Sequence, residues 1–233
     1  MASSPTAEKV LPYALLGMTA VTGLVDAVSF LSLGRVFTAN MTGNVVFLAF
    51  ATAHVSGLSV ARSLTALLTF LVGAILGGRI MARASPGSQI RFAAQAFLLE
   101  VGFLFAASLC GIGYRGNLLE HSFQPFALIV LTALAMGTRN AAVRKLSIPD
   151  LTTTVLTLTI TGIGADSSLA NGNNPRLARR VGSVAAMFLG AALGAVVIRY
   201  SISVALWLAT AISAVCSTAL LRSVGNSDQV VTA

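Results

Sequence analysis

The sequence predicts an all-α integral membrane protein: six transmembrane helices, two short broken or re-entrant helical segments, and two halves related as an inverted repeat. Three observations lead there. The 233 residues are 56% hydrophobic and only 9% charged, whereas an average soluble domain is about 25% charged. The apolar residues gather in eight runs, six of them long enough to span a bilayer. The basic residues lie between the runs in a pattern that separates two topologies.

The runs cover residues 11–33, 41–55, 63–81, 92–112, 126–143, 151–163, 181–198 and 201–221. A spanning helix needs about 20 residues, so the second and sixth are too short to cross comfortably. Before the first run there is no strong basic region and no evident small-residue cleavage site, so that run is expected to be a retained helix. Cys110 and Cys216 both fall inside apolar runs and are expected to be buried hydrophobes. The net charge of +8 and the isoelectric point near 10.8 would suggest nucleic acid in a soluble protein. Here the basic residues sit in short connections, as topology determinants do, and no nucleic-acid partner is expected.

Arg139 lies within a run, leaving 14 Lys and Arg for the tails and connections. If all eight runs span, they divide seven against seven. If the two short runs dip in and return, Lys9, Arg79, Arg83, Arg91, Arg144, Lys145, Arg176, Arg179, Arg180 and Arg222 share one side, ten against four. The four are Arg35, Arg62, Arg115 and Arg199. The second arrangement obeys the positive-inside rule and puts both termini in the cytoplasm. It also makes the halves, about 10–113 and 124–222 of one integral membrane domain, inverted copies. "FLVGAILGG" at 70–78 echoes "FLGAALGAV" at 188–196, an offset that pairs Gly73 with Gly190 and Gly77 with Gly194. "GLVDAVS" at 23–29 echoes "GTRNAAV" at 137–143, pairing Asp26 with Asn140. Glycines four apart permit close helix approach.

Polar residues interrupt these runs where an anchor would have none. In "GRVFTANMTGN", Gly34 and Gly43 offer flexible points, while Asn40, Thr42 and Asn44 offer hydrogen-bonding groups, with Asn40 or Thr42 placed to cap the following helix. They either satisfy a turn or line a solute or ion site at a helix break. Asp26, at depth, is expected to face the interior, either carrying a proton or cation or bonding the neighbouring break. Glu100 and Arg139 fall on adjacent runs, and each alone would be expensive in hydrocarbon, so they are expected either to pair structurally or to leave Arg139 to bind an anion. The sixth run repeats the pattern after Pro149 and Asp150, with Thr152, Thr153, Thr154 and Thr157 either packing or facing the first break. Asn140, Thr153 and Thr154 therefore join the candidate site with Asp26, Asn40, Thr42 and Asn44. His54 and His121 end runs and read as interfacial. There is no nucleotide loop, metal cluster or nucleophile–base set, so no enzyme, metal or cofactor is expected.

"GLVDAVSFLSLGRVFTANMTGN" together with "AMGTRNAAVRKLSIPDLTTTVLT" resembles the YoaK family of bacterial inner-membrane proteins, a domain of unknown function. The resemblance covers roughly residues 11–221. It implies a multipass protein of the bacterial inner membrane and adds no substrate or catalytic residue. The residues themselves favour a small-solute or ion transporter or channel, its site at the two breaks, in a short chain expected to form a homo-oligomer. The alternative is a non-transporting membrane scaffold or accessory protein.

Overall fold

A computed structural model describes residues 5–85, 87–114, 116, 123–148 and 156–230. Among them are eight α-helices, one 3-10 turn at Ser168–Ala170 and no strand. The helices are α1 (Pro5–Ser32), α2 (Met41–Thr52), α3 (Val60–Met81), α4 (Gln89–Cys110), α5 (Phe123–Leu146), α6 (Leu156–Ala165), α7 (Leu177–Ile198) and α8 (Ile202–Val230). Six of them, all but α2 and α6, are long and apolar enough to cross a membrane. The 12 residues of α2 and 10 of α6 extend about 18 and 15 Å, well short of a hydrocarbon core of about 30 Å. Helix α8 continues beyond the apolar run that ends at residue 221, because hydropathy marks the embedded part of a helix and not its hydrogen-bonded end.

Side-chain contacts fix the direction of each helix. Helices α1 and α7 run parallel: Gly190 lies against the backbone of Ala20, and Gly194 against Leu24 and Ala27. Helices α3 and α5 do the same, with Gly73 against Leu134 and Gly77 against Thr138. Helices α4 and α8 are antiparallel, since Ser108 meets Thr210 while Glu100 meets Ser213. So are α4 and α5, where Gln124 donates to the Cys110 carbonyl and Arg139 meets Glu100. Short connections make hairpins of α3–α4 and α7–α8. Hence α1, α4 and α7 point one way and α3, α5 and α8 the other. The Tyr114 hydroxyl, donating to the Ser32 carbonyl, ties the ends of α4 and α1 together.

The chain therefore leaves α1 and enters α3 at the same end of the bundle, so α2 dips in and returns. Between α5 and α7, α6 does so at the opposite end. The first half runs across, dip, back, across; the second repeats this upside down. The ten basic residues grouped by the re-entrant topology gather at the end where α5 finishes and α7 begins, called the basic end below.

Helices α1, α4, α5 and α8 form the centre, around buried Leu24, Val28, Leu128, Met136 and Leu206. Helix α3 packs on α5 and α7 on α1. Their outer faces stay apolar and exposed, with Leu68, Leu71 and Ile75 on α3 and Phe188, Leu189 and Val196 on α7, as lipid-facing helices require. The glycine contacts obey the pseudo-symmetry: shifting Gly73 and Gly77 by 117 residues, and Leu134 and Thr138 back by 114, gives Gly190, Gly194, Ala20 and Leu24. Both interfaces are close enough that a Cβ at Gly73, Gly77 or Gly190 would collide with facing backbone, and one at Gly194 with the Ala27 side chain.

Candidate functional site

The first break, residues 33–40, is the non-helical return from α1 to α2. Its backbone turns at Gly34 and Arg35, both at positive φ. Non-helical backbone at membrane depth must find partners within the protein, and two side chains supply most of them. Asp26 Oδ1 accepts the N–H of Thr38 at 3.1 Å and of Ala39 at 2.9 Å, while Oδ2 accepts from Asn40 Nδ2. Asn44 holds Phe37 at both polar atoms: its Oδ1 accepts the Phe37 N–H at 2.8 Å and its Nδ2 donates to the Phe37 carbonyl. Phe37 then joins a triangle of rings with Phe30 and Phe47, their centroids 5.1, 5.8 and 6.0 Å apart. Asn40 occupies the N-cap of α2 but makes no side-chain cap; its Nδ2 donates to Asp26 instead.

Helix α2 begins at the floor of a cavity of about 1020 Å³. Ala39, Asn40, Met41 and Thr42 of the break line it, as do Phe70, Ala74 and Gly78 of α3 and Asn140 to Ile148 along one side of the last turns of α5. Thr157, in the first turn of α6, completes the lining among the described residues. The cavity runs from the break toward the basic end, where Arg144 and Lys145 stand. Asn140 donates to the Met136 carbonyl of its own helix at 2.8 Å.

The structure thus brings Asn40, Thr42 and Asn140 to one cavity. Asp26 and Asn44 lie behind its floor, buried, with their polar atoms on the backbone of the break and, for Asp26 Oδ2, on the Asn40 side chain. Thr153 and Thr154 lie outside the described residues, as do Pro149, Asp150 and Thr152. Arg144 and Lys145 line the cavity although sequence reasoning treated them only as topology markers, and Thr157, left open between packing and facing the first break, lines it too. Their spacing carries no motif, and only the folded arrangement of α5 and α6 groups them with the break.

Away from the cavity, Arg139 and Glu100 meet at 2.9 Å with both side chains fully buried. Arg139 also donates to Thr22 Oγ1 at 2.6 Å, and Ser213 donates to Glu100 Oε1 at 3.1 Å. One charged pair thereby touches all four central helices. Glu100 Oε2 and Arg139 Nε have no hydrogen-bond partner among the described residues. Thr22 escaped the sequence reading, although Met18, Thr22 and Asp26 are spaced by four and share one face of α1.

No group of three or more His, Cys, Asp or Glu is placed to hold a metal ion among the described residues. The chemistry offered by the cavity is recognition: hydroxyls, amides and two cationic side chains set in apolar walls.

A family model described as "Protein of unknown function (DUF1275)" matches residues 14–219. The chain is 38% identical over 154 residues to the UPF0700 transmembrane protein YoaK of Bacillus subtilis (strain 168), covering 66% of this chain and 65% of that relative. The alignment thus spans slightly under two thirds of the relative's length. No solved structure matches. The resemblance carried by the two polar blocks is borne out, and the six long apolar helices place the chain in a lipid bilayer. This multipass membrane protein belongs to the DUF1275 family.

Proposed function

We propose that the protein carries a small solute across the membrane, with its site where the broken segment before α2 meets the last turns of α5. One observation supports this reading above the others. The first break and the start of α6 border a cavity of about 1020 Å³ whose described lining extends from the break along the last turns of α5. Two inverted halves with broken helices at their interface are a recurring transporter design. By the positive-inside rule the basic end is cytoplasmic, which sets both termini in the cytoplasm of a bacterial plasma membrane and opens the cavity inward.

In this reading Asp26 positions the floor and does not itself bind solute. Thr42, Asn140 and the α5 end do. A panel of solutes screened by thermal unfolding of purified wild type, Thr42→Val and Asn140→Ala tests it. A solute that stabilises the wild type and loses about tenfold in apparent affinity with either variant, and that also enters proteoliposomes, is the expected result. A panel that stabilises all three proteins alike, or none of them, argues against a solute site.

A second reading, a non-transporting scaffold, has its own support: the polar atoms of Asp26 and Asn44 bond the backbone of the break. A scaffold predicts that Asp26→Asn lowers the yield of folded protein and alters no solute response.

A further inference from the structure

Resting on the cavity being a solute site, we propose that its ligand is a small organic anion, an acidic group such as a carboxylate carried on an apolar body. Charge selects the class. Arg144 and Lys145 both line the cavity, and neither has a carboxylate partner among the described residues. No acidic side chain lines it among those residues either. Asp26, behind the floor, is already held by three donors and absent from the lining. A cation entering here meets like charge; an anion meets two cations with no carboxylate partner among the described residues, beside low-dielectric walls where the attraction is stronger than in water.

Size and polarity narrow the class. Phe70, Val143 and Ile148 make much of the wall apolar. A cavity of about 1020 Å³ matches the upper range for ligands with several carbon atoms, and a bare inorganic ion would leave most of it unfilled. Thr42 and Thr157 line the same space, and a threonine hydroxyl can donate to an acidic oxygen. Membrane orientation accounts for basic residues at this end but not for which of them border the cavity. Arg83 and Arg91 share the end and are not among the lining residues.

Three probes of similar size and different charge test the proposal on purified full-length protein: phenylacetate, phenylacetamide and 2-phenylethylammonium. Equilibrium binding is read by the shift in unfolding temperature with probe concentration. Phenylacetate is expected to stabilise, more strongly at low than at high salt, and the ammonium probe not to. Arg144→Gln with Lys145→Gln should weaken phenylacetate about tenfold, while Arg83→Gln with Arg91→Gln, at the same end but off the cavity, should leave it unchanged. Gly78→Leu should abolish the response by filling the cavity, since a Cβ there meets nothing within 4 Å and the fold has room for it.

Equal or better stabilisation by the amide or the ammonium probe overturns the proposal. So does an effect matched by the Arg83/Arg91 control pair, or no shift with any of the three probes. Flux into proteoliposomes is measured separately. Binding of phenylacetate without flux of any solute defeats the carrier reading and leaves the anion site standing. Flux of a neutral or cationic solute through a cavity indifferent to phenylacetate does the reverse.

Discussion

A guanidinium in the middle of a membrane bundle must find all its partners inside the protein, and Arg139 reaches one from each of two other helices. Glu100 on α4 supplies the opposite charge and Thr22 on α1 an oxygen. The pair is costly to break from either side, because the survivor is an uncompensated buried charge. Glu100→Leu alone and Arg139→Met alone are each expected to destabilise by about 3–5 kcal/mol, while the double variant recovers most of the loss. Unfolding of the four proteins in detergent checks this, and a double variant worse than both singles contradicts it. Asp26 makes a subtler case. Asparagine at position 26 would turn an amide NH2 toward the Asn40 amide, so Asp26→Asn should cost about 1–3 kcal/mol. Exchanging the two groups, Asp26→Asn with Asn40→Asp, restores a donor–acceptor match and should recover part of that. The sequence makes visible that Asp26 needs an interior partner. It hides that the main partners are backbone N–H groups of Thr38 and Ala39, because these reach it only when the chain after α1 folds back.

At the scale of helices, close approach sets the architecture. Gly77 and Gly78 are consecutive residues of α3 with opposite surroundings: a Cβ on the first meets the Thr138 carbonyl of α5, and on the second meets nothing within 4 Å. Gly77→Leu should therefore force α3 off α5 and cost about 1–3 kcal/mol or more. Gly78→Leu should be tolerated, and its better helix propensity works in its favour by up to about 1 kcal/mol. The yield and unfolding temperature of the two variants, measured side by side, decide it, and equal effects would contradict the interface described. Glycine spacing and an offset near half the chain make these contacts legible, because close packing needs the same residue type in both copies. The short helices are legible only in outline. Their length excludes spanning, but which residues they bring to the cavity depends on how far each break returns. Thr157 and Lys145 carry no periodic signal for that depth.

For the whole molecule, the two interfaces α3·α5 and α7·α1 are built alike, yet the cavity's described lining lies between the first break and the basic end. The charge count alone separated the re-entrant topology from eight plain spans, because re-entry keeps ten basic residues on one side. Inverted halves carry a consequence for access. Exchanging their conformations would close the present cavity and open an equivalent one at the far end, lined by pseudo-symmetric residues. Ala74, which lines the present cavity, shifts by 117 to Ala191, and Asn140 shifts back by 114 to Asp26. With Cys110 and Cys216 replaced, Ala74→Cys should react with a membrane-impermeant maleimide from the basic end only. For a carrier, Ala191→Cys should become reactive from the opposite end, in proportion to the population of the exchanged state, and a bound solute should shift both rates in opposite directions. In a static scaffold Ala191→Cys stays unreactive under every condition while Ala74→Cys keeps a constant rate. The experiment therefore reads function from the relation between the halves without a substrate having been identified. It works because the same symmetry that packs glycines against Ala20 and Leu134 names in advance which residues must exchange exposure.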